Sequence, residues 1–372
     1  MVGQAIRRNK CLGTLLLGLV LINNIGCAKN TSLTYQEHLK SSPQFHDGKF
    51  HNKIEGLYDA GAAWRASLKE ILLSNRVDPI PEQPPLIQQF TGRDFYKNSD
   101  ESLRFSRLGH STILLQIGEK VWLTDPVFSE RVSLVQWIGP KRFHPVPISL
   151  EELPPIEGVL ISHNHYDHLD HDSIVQIKDR VKHFYVPLGL GEILVSWGVR
   201  LDKISELDWW ENRQIENVEL VSTPAQHFSG RGLFDSDETL WTSWVIRTAQ
   251  HSVYISGDSG YFEGFREIGK KYGPFDLAFL ECGAYHESWR TMHMMPEDNL
   301  KAVKDLKGRI LVPIHNGTFN LAFHSWYEPM EKIMKLTRRE QIQSVIPLMG
   351  QIIDIINIPK TVQWWKPSAI SL

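Results

Sequence analysis

This chain is poor in cysteine. Its 372 residues contain three, Cys11, Cys27 and Cys282, too few for a disulfide framework to hold a fold of this size. It also lacks an excess of charge of either sign. Forty lysines and arginines against 43 aspartates and glutamates give a formal charge of -3, which gives no reason to expect nucleic acid as a partner. Long apolar runs are missing too: residues 11–22 are apolar, but such a run is short of the roughly 20 residues that span a bilayer as a helix. There is no internal repeat and no low-complexity tract. What remains is an ordinary globular composition, 42% apolar and 10% aromatic, with room for a substantial core. Stability must then come from packing or from metal. One residue type is plentiful: the sixteen histidines crowd into short motifs.

The N-terminal segment stands apart from the fold. Arg7, Arg8 and Lys10 precede the apolar run, and Gly26-Cys27 follows it, which is the layout of a secretory signal. The ending "NIGC" resembles the lipobox of bacterial lipoproteins, although Asn24 stands where leucine is usual. That resemblance implies cleavage before Cys27, a lipid on Cys27, and export to the bacterial cell envelope as a periplasm-facing, membrane-anchored lipoprotein. The alternative is an uncleaved N-terminal anchor. Cleavage removes three positive charges and no acid, taking the charge from -3 to -6. A lipidated Cys27 leaves Cys282 without a disulfide partner.

Residues 28–53 are polar and read as a flexible tether. Ile54, Leu57, Ala60, Trp64, Leu68 and Ile71 recur at spacings of three and four, which predicts an amphipathic helix. The stretch "VDPIPEQPP" ends it as a semi-rigid connector. The predicted organisation is a signal peptide over 1–26, a tether, helix and connector over 27–95, and one main domain over 96–372.

From about residue 100 the pattern turns to short apolar strands. "GVLISH" runs out at His163, "NVELVSTPAQH" at His227, "HSVYISGDSG" at Asp258 and "RILVPIHNG" at His315. Four strands therefore deliver a metal-capable side chain just past their C-terminal ends, where rigid sheets place chemistry. In "HNHYDH" the alternating His163 and His165 face one side of an extended segment and converge on one ion. Asp167 and His168 then point elsewhere, toward a second ion. Adding His227, Asp258 and His315 makes seven ligands, which two ions use fully by sharing Asp258. Imidazole with carboxylate suits zinc first, with iron or manganese as alternatives. Taken singly, His144, His171, His183, His251 and His324 read as surface or hydrogen-bonded core residues.

The cluster, with His227, Asp258 and His315 downstream in that order, resembles the metallo-β-lactamase superfamily. The resemblance covers most of residues 100–350 and implies an αββα sandwich, with an N-terminal helical extension here, and two metals at one edge. It implies His163, His165 and His227 on the first metal, Asp167, His168 and His315 on the second, and Asp258 between them. "RLGHSTILLQIGEKVWLTDPVFSERVS", "ELDWWE", "TPAQHFSGRG" and "IHNGTFNLAFHSWYEP" are similar to the N-acylphosphatidylethanolamine-hydrolysing phospholipase D group. The likeness departs at "LECGAYHESWRTMHMMPED", where the mammalian enzymes have proline in place of Glu281 or Cys282.

Two ions about 3.5–4 Å apart lower the pKa of a shared water toward neutrality and offset charge on a phosphodiester. The expected function is thus metal-dependent hydrolysis, of phospholipase D type, of N-acylphosphatidylethanolamine-like phospholipids. Asp167 and Asp258 would fix the metals, and His293 would bond phosphoryl oxygens or assist the leaving alcohol. Asp125 and His110 are candidates to hold metal-bound histidines from behind. Cys282 reads as a buried inert thiol. Trp209, Trp210, Trp137, Phe128 and Phe234 are candidates to line an acyl-chain groove. Expected partners are a phospholipid substrate and the membrane surface, and related enzymes make a homodimer the implied assembly. Two rivals stand beside this reading. One is a lactonase, β-lactamase or other ester hydrolase on the same scaffold; the other is a lipoprotein with a structural metal, which the paucity of cysteine disfavours.

Overall fold

The computed structural model describes residues 37–54, 56, 65, 69–70, 76–232 and 234–366. The signal segment, Cys27, and Leu57, Ala60, Trp64, Leu68 and Ile71 of the predicted helix lie outside the described residues; Ile54 of that stripe is exposed. The chain divides into two compact units, 1–48 and 49–372. Residues 37–48 of the first form a helical turn followed by a tight turn, with Phe45 N–H donating to the Ser42 carbonyl at 3.1 Å.

The second unit is built from two seven-stranded sheets. The first contains β1 (Leu103–Gly109), β2 (Thr112–Ile117), β3 (Lys120–Thr124), β4 (Ile156–Leu160), β5 (Val181–Pro187) and β6 (Ile204–Leu207). The second contains β7 (Asn212–Ile215), β8 (Val218–Thr223), β9 (Ser243–Arg247), β10 (Ser252–Ile255), β11 (Phe275–Glu281), β12 (Gly308–Ile314) and β13 (Gln343–Ser344). A last strand, β14 (Ile353–Asp354), returns to the edge of the first sheet, so the orders are β14-β1-β2-β3-β4-β5-β6 and β13-β12-β11-β10-β9-β8-β7. Each sheet is antiparallel at one side and parallel at the other, with β3 to β6 parallel in one and β10 to β13 parallel in the other.

Alternation along the strands explains how both faces are filled. Ile113, Leu115 and Ile117 of β2 turn inward with Leu277 and Phe279 of β11 and Ile310, Val312 and Ile314 of β12, making the core between the sheets. Phe105 meets Phe279 edge-on there, with ring centroids 5.0 Å apart. The opposite faces are not left wet. Leu114, Val159 and Phe184 pack under α1 (His171–Ile177) and α2 (Gly191–Ser196). Ala278, Leu280 and Leu311 pack under α3 (Gly264–Lys271), α4 (Pro296–Asp305) and α5 (Glu328–Arg339). Each buried leucine, valine or phenylalanine among these contributes about 1.5–3 kcal/mol by leaving water. All six residues of β2 are buried, as a strand covered on both faces requires. The result is the αββα sandwich the sequence implied.

This layering fixes where the chemistry stands. His163, His227, Asp258 and His315 follow β4, β8, β10 and β12 by one to four residues, and the sandwich brings those strand ends to one edge. The edge is tied across the sheets. The buried Arg107 of β1 donates to Asn316 Oδ1 at 3.0 Å, and His315 N–H donates to the His110 carbonyl at 3.1 Å.

Candidate metal centre

The "HNHYDH" segment is a turn held from outside. Leu169 N–H donates to the His165 carbonyl at 2.8 Å and closes it. Asn164 Oδ1 accepts from Gly230 N–H at 2.7 Å, and Arg231 donates to the carbonyls of Asn164 and Leu169, each at 2.7 Å. The same guanidinium lies over the Tyr166 ring at 4.0 Å. The turn, rather than an extended run, sends Asp167 and His168 to a different place from His163 and His165.

Seven side chains converge. His163 Nε2 is 2.8 Å from His165 Nδ1, and His227 Nε2 is 3.3 Å from the same nitrogen. A tetrahedral zinc with ligands at about 2.0–2.1 Å sets its donors roughly 3.3 Å apart, so the trio is close to that spacing. On the other side, Asp167 Oδ2 is 3.3 Å from His315 Nε2 and 3.7 Å from His168 Nε2. Asp258 Oδ2 stands between the groups, 3.0 Å from His315 Nε2, 3.2 Å from His168 Nε2 and 3.8 Å from His227 Nε2. All seven candidates are therefore brought together, with Asp258 lying between the two groups.

The donors also fit a cation by what they lack. His315 Nδ1 and Asp258 Oδ1 are buried without a hydrogen-bond partner, and His168 Nε2 and His315 Nε2 have only the Asp167 and Asp258 carboxylates beside them, which is costly unless something else satisfies them. The remaining nitrogens are fixed from behind, as metal-binding imidazoles are. His168 Nδ1 donates to Asp125 at 2.8 Å, His227 Nδ1 donates to the Met292 carbonyl at 3.0 Å, and His163 Nδ1 lies 2.9 Å from Ser162 Oγ. Asp125 also accepts from Ser162 N–H and Oγ, both at 2.7 Å. His110 Nε2 meets Asp167 Oδ2 at 3.0 Å. Asp125 thus stands behind His168, whereas His110 meets the same Asp167 oxygen that faces His315 and His168 and joins those three as a group that could hold a cation. Three of these residues hold a left-handed backbone that side chains usually avoid: Asp125 at φ 36°, His110 at φ 54° and His315 at φ 63°.

The electrostatics separate the two groups. Burial pushes His163 and His227 well below the ordinary imidazole value. Burial also acts on His168 and His315, but Asp258 and Asp167 outweigh it; His168 is pushed well up and His315 to about 10. Asp167 and Asp258 lie well below the carboxylate range, because the surrounding histidines, His168 foremost, overcome their burial.

His293, on the segment before α4, reaches the edge of the cluster, its Nδ1 3.9 Å from Asp258 Oδ2. Two residues that the sequence reading passed over also belong here. Asn52, from the stretch read as tether, accepts from His227 N–H at 3.0 Å and donates to the His227 carbonyl at 2.7 Å. Glu281, at the end of β11, is fully buried with Oε2 3.7 Å from His293 Nδ1. Burial pushes its carboxyl up against the pull of His293. Cys282 is a buried free thiol, pushed well up by its surroundings.

The aromatic set divides differently from expectation. Trp209 is buried with Nε1 donating to the Trp241 carbonyl at 2.7 Å, and Trp210 stacks on Tyr272, so this pair packs on the core. Phe128 is half-buried against the outer core of the first sheet. Trp137 and Phe234 are exposed, at 79% and 90%. A cavity of about 260 Å³ next to His227 has a mixed lining: Phe50, Phe228, Trp241 and Met292 with His51, Asn52 and Asp237.

Comparison with known proteins agrees with this geometry. Residues 121–316 match the family described as "Beta-lactamase superfamily domain". An uncharacterised protein of Mycobacterium tuberculosis (strain H37Rv) is 39% identical over 342 residues, 88% of each chain. The N-acyl-phosphatidylethanolamine-hydrolyzing phospholipase D 1 of Caenorhabditis elegans is 34% identical over 264 residues, 67% of this chain and 73% of that one. Among solved structures, the metallo hydrolase Igni18 of Ignicoccus hospitalis shares the fold at a TM-score of 0.53 and 20% identity, covering 68% of this chain and 98% of its own. With its sandwich fold, its His/Asp cluster and these relatives, the chain belongs to the metallo-β-lactamase superfamily as a metal-dependent hydrolase.

Proposed function

We propose that this protein is a dinuclear zinc phosphodiesterase of phospholipase D type, acting on N-acylphosphatidylethanolamine-like phospholipids. The observation that carries the reading is the likeness, over two thirds of the chain, to a relative named for that reaction. The donor set supports it: five imidazoles and two carboxylates match zinc's preference, and a shared Asp258 suits a pair of ions. His163, His165 and His227 would hold one ion, Asp167, His168 and His315 the other. Such a pair, when bound, supplies Lewis-acid activation of water and of a phosphoryl oxygen.

The chain's own residues do the rest. Asp125, Ser162 and the Met292 carbonyl lock the imidazole orientations, so the donors meet a cation without rearranging. His293 stands beside the shared carboxylate, where it can bond a phosphoryl oxygen or the departing alcohol. The cavity beside His227 offers apolar substituents one wall of Phe50, Phe228 and Trp241, with Asn52 and Asp237 on its polar side. Leu134, Trp137 and Phe234 project from loops that flank the metal turn: Val132 packs with Tyr166, and Arg231 stacks on the same ring. Exposed side chains of that kind suit contact with a lipid surface. A lipid on Cys27 and a periplasm-facing location belong to the same proposal.

The test is product analysis. Zinc-loaded protein is incubated with N-acylphosphatidylethanolamine, bis(p-nitrophenyl) phosphate, a lactone and nitrocefin. Release of an N-acylethanolamine and phosphatidic acid, with turnover of the soluble diester, is the expected result. Turnover of lactone or nitrocefin with both phosphodiesters untouched would overturn the assignment.

A further inference from the structure

Glu281 is a carboxylate in a place that gives it few partners. It ends β11, a strand that is otherwise apolar apart from Asp276, and it is fully buried. Its backbone is pinned on both sides: Glu281 N–H donates to Ser256 Oγ at 3.0 Å, and its carbonyl accepts from Asn299 Nδ2 at 3.0 Å. One side-chain oxygen, Oε1, accepts from Met294 N–H, the residue directly after His293. The other, Oε2, has no hydrogen-bond partner, and neither does the buried His293 Nδ1, which lies 3.7 Å away. Two complementary orphans facing each other in a dry place are expensive to leave apart.

The separation exceeds a hydrogen bond, but sites of this kind draw together when loaded. The competing acceptor for His293 Nδ1 is Asp258 Oδ2 at 3.9 Å, and that oxygen is committed once cations occupy the cluster. Glu281 Oε2 is then the nearby carboxylate oxygen left to accept.

We infer that Glu281 is a positioning residue: it clamps the His293–Met294 segment through Met294 N–H and, in the loaded enzyme, takes the Nδ1–H of His293, so that Nε2 is the nitrogen presented to substrate. The inference rests on the reading of this centre as hydrolytic. The pair forms without net proton transfer; the proton stays on Nδ1 and fixes the tautomer. Deprived of Glu281, the ring is free to turn and to exchange tautomers at the rim of the cluster.

Glu281→Gln tests this with little change in shape. Its amide oxygen can keep Met294 N–H, while its NH₂ faces His293 Nδ1, a donor toward a donor. The imidazole must then carry its proton on Nε2. In zinc-loaded, ¹⁵N-histidine-labelled protein, His293 is expected to be the Nδ1–H tautomer in the parent and the Nε2–H tautomer in Glu281→Gln. With bis(p-nitrophenyl) phosphate, kcat is expected to fall about 10–100-fold, the range for partners that orient functional histidines, with KM within about threefold and two zinc ions retained. In a His293→Ala background the same substitution is expected to change kcat less than about twofold. An unchanged tautomer, an undiminished effect without His293, an unchanged kcat, or loss of zinc from Glu281→Gln would each overturn the inference. If the parent hydrolyses no phosphodiester, the functional reading fails by itself, and the tautomer readout still decides whether Glu281 holds His293.

Discussion

His168 Nδ1 lies 2.8 Å from Asp125 Oδ2, so a buried carboxylate from the end of one strand holds an imidazole delivered after the next. Asp125 accepts two further hydrogen bonds from Ser162, at 2.7 Å each. Asp125→Asn keeps the shape but puts an NH₂ where His168 Nδ1–H or Ser162 Oγ–H must donate. Affinity for the second metal is expected to fall about 10–100-fold, measured by competition with a chromophoric chelator. Binding at the other proposed position, formed by His163, His165 and His227, should be affected less.

The two groups of ligands should also part with pH. His163 and His227 are kept neutral through the neutral range by burial. His168 is raised well above the ordinary value and His315 to about 10 by Asp258 and Asp167. Below its pKa an imidazole carries a proton and cannot ligate. Cation binding at the second position must therefore expel protons at pH 7, and acidification favours their return there first. Calorimetry in buffers of different ionisation enthalpy should register proton release for the second equivalent of zinc and much less for the first. Equal proton release by both equivalents would contradict the assignment.

Gly283 lies where the chain passes the backbone of His315, and a Cβ there would run into the His315 carbonyl oxygen. Backbone cannot step aside as a flexible side chain can. Gly283→Ala is expected to cost about 1–3 kcal/mol of stability, the usual range for overpacking, and to displace His315. Thermal unfolding and zinc content should fall together.

Leu134, Trp137 and Phe234 are 80%, 79% and 90% exposed. Replacing all three by serine should alter folding stability by no more than about 0.5 kcal/mol per site and leave turnover of a soluble diester within about twofold. Sedimentation with phospholipid vesicles should drop markedly. Unchanged vesicle binding would remove these loops from the lipid-contact surface.

The convergent His/Asp cluster was legible because the sequence concentrates it: no packing requirement explains His163, His165, Asp167 and His168 in six residues, and each later candidate ligand follows an apolar strand. β4, β8, β10 and β12 were legible because each is a short apolar run ending near a metal-capable side chain. Asn52 was hidden in a polar stretch with no periodicity, since its role depends on a contact 175 residues away. Glu281 showed only as a departure from the family motif, because an acid at a strand end looks the same whether solvated or buried. Trp209 and Trp210 misled as a pair. Adjacent side chains diverge, and here one donates to the Trp241 carbonyl while the other stacks on Tyr272.

The most direct measurement is the zinc content of folded protein beside that of Asp258→Ala. Asp258 Oδ2 is 3.0 Å from His315 Nε2 on one side and 3.8 Å from His227 Nε2 on the other, so this side chain would serve both proposed positions. Two zinc ions per parent chain are expected, with weakened retention of both in the variant and hydrolysis lost. A parent chain that folds and hydrolyses substrate with no bound transition metal, or a variant that keeps both ions as tightly as the parent, would contradict the account.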